Sequence, residues 1–207
     1  MLRFLKNRAI FDTKRIFDIV GSFIGVLFIA PFVPFISLAI FLDDGLPILV
    51  KLERISEGRV IKIYKFRTMI RDAKEKKKEL LHLNERKDGP FFKIKNDPRL
   101  TKVGKFLRKF RLDEFPQLIN VLKGELSLVG PRPHEPEEMI HYPPEFKKLY
   151  FAKAGLTGLS QVSGASSLPF LKEIELDLYY IENRSFWLDL KILLKTVWIF
   201  FFDHSGV

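Results

Sequence analysis

The chain has 207 residues, which suits one compact domain with an appendage rather than two full domains. It contains no cysteine, so disulfides, zinc–thiolate sites and thiol nucleophiles are excluded. A formal net charge of +10 indicates an anionic partner, but charge alone does not choose among nucleic acid, anionic lipid and a phosphorylated substrate.

A long apolar run lies near the N-terminus. Residues 19–42 are 24 consecutive positions without a charged side chain, and about 20 apolar residues span a bilayer core. A secretory signal peptide is the alternative, against which stand the length of the run and the Asp43-Asp44 pair that closes it. Pro31 and Pro34 lie within the run, where each removes a helical hydrogen bond. We therefore predict a membrane helix that breaks near these prolines.

Basic residues flank this run on both sides. Lys and Arg occur several times before it, and the chain that follows is rich in both. The positive-inside rule would keep both flanks in the cytoplasm, which only a re-entrant helix-break-helix satisfies. The sequence thus predicts a membrane-embedded unit over residues 1–45 and a cytosolic domain over residues 46–207. A kinked spanning helix is the alternative.

Two short apolar-rich runs, 48–52 and 60–67, flank Glu57-Gly58 and predict a β-hairpin. Strand alternation places Lys65 and Arg67 on the apolar face of the second run. Cations on a mostly apolar face require an anion, so these two predict either a phosphate contact or a structural salt bridge.

The middle of the chain reads mainly as helices and loops. Residues 71–87 are highly charged and predict a solvated helix or lid. Thr101 can cap a helix whose apolar residues recur at i, i+3, i+4 and i+7 as far as Phe110. A second helix follows, which Gly124 can end. Residues 127–169 are rich in Pro, Gly and Ser and predict loops.

Two further helical segments close the chain. Residues 171–180 predict a helix, and residues 186–202 are aromatic and apolar but contain Asp189, Lys191 and Lys195. Those charges make the last segment a poor span and favour an interfacial helix. The predicted fold is α/β, mostly helical with a small β-hairpin.

The segment 108–114 puts two acids, Asp113 and Glu114, directly behind three cations. An acid at a helix N-terminus is an ordinary cap and suits the helix dipole. The same helix end, with Arg108 and Arg111, predicts a lowered pKa for the carboxyl of Asp113. An ionised carboxylate can attack phosphorus or hold a hard divalent cation. Spacing alone leaves both interpretations open.

A stiff loop, Gly130–Pro133, carries Arg132. Arginine suits bidentate contact with phosphate oxygens, and a surface turn with a solvated side chain is the alternative. No P-loop or dinucleotide fingerprint occurs in the sequence. The histidines lack metal-ligand spacing and are interpreted as structural or solvated: His82, His134, His141 and His204.

Taken in order, these segments resemble a known family. The blocks are the apolar run with its central Pro, KIYKFRTM at 62–69, RKFRLDEFPQLINVLKGELSLVGPRP at 108–133, GLTGLSQVSG at 155–164 and ELDLYYIENRSFWLDLKIL at 175–193. They are similar to those of the bacterial sugar transferases, the monotopic polyprenyl-phosphate phosphoglycosyl transferases of glycoconjugate and exopolysaccharide assembly. The likeness covers about residues 10–200, and the block at 108–133 is highly specific.

The resemblance implies transfer of a phosphosugar from a UDP-sugar to polyprenyl phosphate at the cytoplasmic face of the bacterial inner membrane. It implies that Asp113 is the nucleophile and that Glu114, with Asp113, holds Mg²⁺. It further implies membrane lipid as a partner and no nucleic acid, with a homodimer left open. The phosphate-binding cations of the family correspond to Lys65, Arg108 and Arg132, and strand alternation adds Arg67.

This chain departs from the family pattern in two places. Ala30 stands where relatives often carry Ser, so the helix break would depend on Pro31 and Pro34 alone. Residues 159–165 also differ, which leaves the identity of the sugar open. Two rival classes remain: a non-enzymatic basic membrane-surface module, for which Asp113 is dispensable, and a nucleic-acid binder, which the apolar run disfavours.

Overall fold

The computed structural model describes residues 2–164 and 167–202; His204 and the end of the 159–165 loop lie outside the described residues. The α-helices are α1 (Leu2–Ile29), α2 (Val33–Asp44), α3 (Ala73–Glu79), α4 (Lys102–Lys109), α5 (Leu118–Lys123), α6 (Pro136–Met139), α7 (Lys148–Phe151), α8 (Leu159–Val162), α9 (Phe170–Asn183) and α10 (Phe186–Phe202). The strands are β1 (Leu49–Ser56), β2 (Arg59–Phe66), β3 (Ser127–Val129) and β4 (Gly155–Thr157), and 3₁₀ turns occupy Ala30–Phe32, Leu81–Leu83, Leu112–Gln117 and Pro144–Phe146.

The apolar run forms a helix pair, α1 and α2, that is interrupted where the prolines predicted a break. A 3₁₀ turn over Ala30–Phe32 contains Pro31, and Pro34 lies in the first turn of α2. The segment Thr13–Asp44 is long and apolar enough to cross a membrane by length and composition, and most of its apolar window is exposed. The helix pair therefore leaves a large apolar surface without a protein partner among the described residues.

Both legs of the helix pair contact the same domain. α1 lies against β3 so closely that a Cβ atom added at Gly21 would come 2.6 Å from Leu128 Cδ1. The far end of α2 buries Ile40 in a separate cluster with Phe66 and Leu107. The chain thus leaves this domain along α1 and meets it again along α2.

The predicted hairpin is confirmed. β1 and β2 pair antiparallel over their whole length. Glu57 and Gly58 join them with φ angles of 52° and 74°, as two-residue hairpin turns require. Ile61 and Ile63 are buried, and Lys65 follows them on the same face as alternation predicted. The hairpin therefore brings Lys65 to the edge of the core.

Residues 127–169 differ from the predicted loops. They contain β3 and β4, which pair in parallel with Ser127 opposite Gly155 and Val129 opposite Thr157, together with short helices. Strands of three residues are too short for alternation to reveal, and their pairing joins segments distant in sequence. This small parallel pair carries the loop that follows β3.

The charged stretch 71–87 is α-helical only over α3, and a 3₁₀ turn follows at Leu81–Leu83. The Asn84 side chain then replaces helical hydrogen bonds, because its Oδ1 accepts the N–H groups of Arg86 at 3.1 Å and Lys93 at 2.9 Å. Side-chain bonds of this kind stabilise a loop in place of further helical turns. The prediction of one continuous helix was therefore wrong beyond Glu79.

The largest core cluster lies where the hairpin, α5, the parallel strands and the last two helices meet. Val121 and Leu126 are fully buried at its centre. Its buried members are Ile61, Ile63, Leu118, Val121, Leu126, Leu128, Val129, Ala154, Val162, Tyr180, Ile192 and Ile199. This cluster fixes β2, α5 and β3 relative to one another, and each of these elements adjoins a predicted site residue.

Candidate active site

Asp113 and Glu114 lie in the 3₁₀ turn Leu112–Gln117, not in the first turn of an α-helix as predicted. Pro116 in this turn lacks the N–H group that a regular α-helix would use. Arg111, just before the turn, has a φ angle of 53°, which is uncommon for a residue other than glycine. This left-handed residue separates the acidic turn from α4. Gly124 ends α5 in the left-handed conformation, as predicted.

Lys65 joins the two acids. Its Nζ donates to Glu114 Oε1 at 2.6 Å and lies 3.6 Å from Asp113 Oδ2. The Asp113 side chain is 7% exposed, whereas that of Glu114 is 33% exposed. The structure therefore brings a strand residue and an acidic dyad together, with Asp113 as the buried member and Glu114 as the accessible one.

The pKa values of the two carboxyl groups shift in opposite directions. Burial raises the pKa of Asp113; Lys65 opposes this rise, and the negative charge of Glu114 adds to it. Burial acts on Glu114 as well, but Lys65, followed by Arg132 and Arg111, outweighs it and lowers the pKa of Glu114. The predicted lowering of the pKa of Asp113 is therefore wrong, because burial of this carboxyl outweighs its attraction to Lys65 and Arg108.

Arg108 approaches the dyad from the last turn of α4. The helix begins as predicted, with Thr101 Oγ1 accepting the Gly104 N–H at 2.9 Å. Arg108 is half-buried and its Nε donates to Thr68 Oγ1 at 3.0 Å. Its positive charge lowers the pKa of Asp113, against burial. The side chain is thus held in place while its charge acts on the buried acid.

Arg132 acts on the dyad through its charge, from the loop after β3. Its side chain is 42% exposed, and its Nη1 lies 3.8 Å from Glu173 Oε1. Its charge contributes to the lowered pKa of Glu114. Lys65, Arg108 and Arg132 therefore lie around the two acids, although they come from three distant parts of the sequence.

Arg67 does not join this group. Its side chain is 4% exposed and its Nη1 lies 3.1 Å from Asp44 Oδ2. Its guanidinium also donates to the carbonyl oxygens of Gly45 at 2.6 Å and Leu46 at 3.2 Å. These contacts engage both terminal nitrogens of the guanidinium at the end of α2, whereas its buried Nε has no hydrogen-bond partner in the part of the chain that the structure describes. The geometry matches the structural salt bridge that the sequence left open, so we do not retain Arg67 as a phosphate contact.

Sequence reasoning missed the buried acids behind the Arg132 loop. Asp177 is fully buried and accepts hydrogen bonds from Ser160 Oγ at 2.7 Å and from the Arg132 N–H at 3.1 Å. Glu173, one turn earlier on α9, accepts from Arg86 Nη1 at 2.9 Å. Their i, i+4 spacing on the apolar face of the predicted 171–180 helix was the signal that could have found them.

The two acids of the dyad provide part of the ligand set that a metal ion requires. In the ranges 2–164 and 167–202, no group of three or more His, Asp or Glu side chains is arranged to enclose a metal. Asp113 and Glu114 nevertheless offer two adjacent carboxylates. Mg²⁺ is usually bound by one or two carboxylates with substrate phosphates as further ligands. The residues present therefore fit an ion that is shared with a phosphorylated substrate.

Comparison with known proteins identifies the family. The family profile described as bacterial sugar transferase matches residues 8–203. The chain is 43% identical over 191 residues to the galactosyl transferase CpsE of Streptococcus agalactiae, covering 89% of this chain and 41% of the relative. It is 40% identical over 199 residues to the undecaprenyl-phosphate galactose phosphotransferase of Salmonella typhimurium, covering 93% and 41%.

A third relative is matched over nearly its whole length. The chain is 37% identical over 199 residues to the exopolysaccharide production protein PSS of Rhizobium leguminosarum, covering 89% of this chain and 92% of the relative. By contrast, the chain spans about two fifths of the length of the first two relatives. Because the family profile covers residues 8–203, the predicted membership is confirmed: this chain belongs to the bacterial sugar transferase family.

Proposed function

We propose that this protein transfers a phosphosugar from a UDP-sugar to polyprenyl phosphate, as the first membrane step of glycoconjugate or exopolysaccharide assembly. The observation that carries the proposal is the acidic dyad, in which Lys65 contacts Glu114 at 2.6 Å and Asp113 at 3.6 Å. Relatives named UDP-galactose-lipid carrier transferase and undecaprenyl-phosphate glucose phosphotransferase support the donor and acceptor classes.

The reaction follows from the roles of the site residues. A carboxylate oxygen of Asp113 attacks the sugar-bearing phosphorus of the donor, and the bond from that phosphorus to UMP breaks. Lys65, Arg108 and Arg132 stabilise the charge on the phosphate oxygens. A phosphate oxygen of the polyprenyl acceptor then attacks the same phosphorus, and Asp113 leaves as a carboxylate. The phosphosugar is thereby passed to the lipid.

Mg²⁺ is the proposed cofactor, held by Glu114 and Asp113. When bound, the ion would neutralise negative charge on the diphosphate of the donor. The partial exposure of the Glu114 side chain, 33%, supports access of such an ion to its carboxylate. Binding of the ion and ionisation of Asp113 are expected to be linked, because added positive charge at the dyad lowers the pKa of a buried carboxyl.

The proposed location is the cytoplasmic face of the bacterial inner membrane, with α1 and α2 re-entering the bilayer. The exposed apolar surface of the helix pair supports this seating. α10 continues that surface, because Phe17 on α1 and Phe186 on α10 have ring centroids 5.7 Å apart. Exposed aromatic and aliphatic side chains on α10 suit an interfacial position: Trp187, Leu194, Val197, Trp198, Phe201 and Phe202.

UMP release from a panel of UDP-sugars, measured with undecaprenyl phosphate and with or without a chelator, tests the activity. Asp113→Asn keeps the shape of the side chain but removes its charge, so we expect a folded protein whose turnover falls by orders of magnitude. With donor alone, mass spectrometry should show a phosphosugar adduct on the wild-type peptide that contains Asp113.

The rival interpretations give different results in the same assays. A non-enzymatic membrane-surface module would release no UMP from any donor. A folded and fully active Asp113→Asn protein would end the nucleophile hypothesis, and full activity in excess chelator would remove the metal from the mechanism.

A further inference from the structure

The helix pair α1–α2 is joined by polar contacts to the elements that carry the predicted site. Such contacts are unnecessary for a simple anchor, because exposed apolar side chains alone suffice to hold a helix in a bilayer. Most of these contacts end on an element that carries a site residue or directly adjoins one, whereas the ion pair between Lys14 Nζ and Asp189 Oδ2 at 2.6 Å ends on α10.

Asp18 makes the most buried of these contacts. The residue is 2% exposed, at the border of the apolar run. Its carboxylate accepts the Ser127 hydroxyl at 2.8 Å and the Leu128 N–H at 2.8 Å. Both donors belong to β3, which has three residues and leads into the loop of Arg132. Burying a carboxylate costs free energy unless the group is hydrogen-bonded, so Asp18 depends on the donors that β3 supplies.

Arg15 binds the helix that follows the acidic dyad. Its Nη1 donates to the Val121 carbonyl oxygen and its Nη2 to the Leu122 carbonyl oxygen, both at 2.6 Å. These carbonyl groups lie in the last turn of α5, where a cation complements the helix dipole. α5 begins directly after the turn that contains Asp113 and Glu114. The second contact therefore fixes the element adjoining the dyad.

The end of α2 contacts the two chain segments that carry Arg108 and Lys65. Asp43 Oδ2 accepts the Val103 N–H at 2.8 Å in the first turn of α4, which carries Arg108 in its last turn. The neighbouring contact between Asp44 and Arg67 fixes the chain two residues after Lys65. α1 and α2 together thus contact four elements that converge on one site.

We propose that the helix pair α1–α2 positions the active site as well as seating it in the membrane, with Asp18 as the positioning residue for Arg132. The catalytic consequence rests on the proposed function, whereas the structural consequence does not. Without Asp18, Ser127 and Leu128 lose a buried acceptor. The strand β3 keeps its pairing with β4 and the Tyr180 hydroxyl, which donates to the Val129 carbonyl oxygen at 3.1 Å. The loop of Arg132 should then move relative to the dyad, although the apolar surface remains intact.

The test compares Asp18→Ala, Asp18→Asn and Ser127→Ala in the full chain, reconstituted in vesicles of bacterial lipid. Hydrogen exchange is read at Gly130, whose N–H donates to the Thr157 carbonyl oxygen at 2.9 Å. Asp18→Ala should speed this exchange at least about tenfold, as expected for loss of the buried hydrogen bonds from Ser127 and Leu128. Asp18→Asn keeps an acceptor and should restore part of the protection, and Ser127→Ala should give a smaller increase.

Ser22→Ala is the matched control, because Ser22 is buried on the same helix and donates only to backbone carbonyl oxygens of α1. It should leave Gly130 exchange unchanged, and co-sedimentation with vesicles should be the same for every variant. In the UMP-release assay, Asp18→Ala should raise the KM for the UDP-sugar about tenfold and change kcat little, since the contact made by Arg132 is displaced.

Several results would overturn the inference. Unchanged Gly130 exchange in both Asp18 variants shows that β3 is not held through this residue, and an unchanged KM in Asp18→Ala shows that Arg132 is not positioned by it. Loss of vesicle binding shows that Asp18 serves insertion alone. If Asp18→Ala does not fold, Ser127→Ala and Asp18→Asn decide the outcome by the same readings. If the wild type releases no UMP, the proposed function fails and the exchange data still decide the structural claim.

Discussion

At the residue scale, Lys65 and Arg67 are two cations in one short segment that have different roles. Lys65 lies near the end of β2, on the same face of the strand as Ile61 and Ile63. Its charged Nζ contacts both acids. Arg67 follows the end of the strand, where its guanidinium meets Asp44 and two backbone carbonyl oxygens. Alternation alone placed both on one face and could not separate them, because the difference depends on where α2 ends in space.

Substitution of each cation by Met should separate these roles. Lys65→Met leaves the acidic pair without its shared cation, so UMP release should fall at least about 100-fold with little change in thermal stability. Arg67→Met leaves acceptors on the partly exposed residues Asp44, Gly45 and Leu46 without their donor and should cost about 2 kcal/mol of unfolding free energy. Thermal unfolding and UMP release per folded protein measure the two effects. The opposite pattern would return Arg67 to the active site.

At the element scale, α4 depends on a close approach to the chain that follows β2. A Cβ atom added at Gly104 would lie 2.0 Å from the Thr68 carbonyl oxygen. The same carbonyl group accepts the Thr101 N–H at 3.1 Å, and the Thr68 hydroxyl accepts from Arg108. Glycine is therefore required here by backbone contact, and the contact also sets the position of Arg108.

Gly104→Ala should displace α4 and destabilise the fold by about 2 kcal/mol, as overpacking against a rigid backbone does. Activity at permissive temperature should fall too, because Arg108 moves with the helix. Lys105→Ala is the matched control, since this neighbouring residue is exposed on the same helix. Equal melting temperatures for the two variants would show that α4 can shift without cost.

At the scale of the whole molecule, the arrangement in the membrane can be tested with single cysteines, because the chain has none of its own. Leu5→Cys and Val50→Cys should both resist labelling from outside intact cells if the helix pair re-enters. Pro31→Ala with Pro34→Ala should let the helix straighten and expose one flank outside. External labelling of position 50 without these changes would favour a spanning helix, and an unchanged double variant would place the cause of the turn elsewhere.

The sequence by itself determined the features that depend on neighbours in the chain. Local backbone preferences of a few residues determine four such features. They are the caps at Thr101 and Gly124, the hairpin turn at Glu57-Gly58 and the helix interruption at Pro31. The family was also readable, because its block at 108–133 is continuous. The acidic dyad was visible within that block for the same reason.

Only the tertiary structure decided how distant segments meet. The three-residue strands β3 and β4 pair across an intervening segment, which no local period reveals. The pKa of Asp113 is raised because burial outweighs its attraction to Lys65, and burial is a property of the whole fold. Asp18, Glu173 and Asp177 gain their partners only where β3 and the Arg132 loop pack against their helices. Such partners are fixed by packing between elements, so the sequence carries no nearby signal for them.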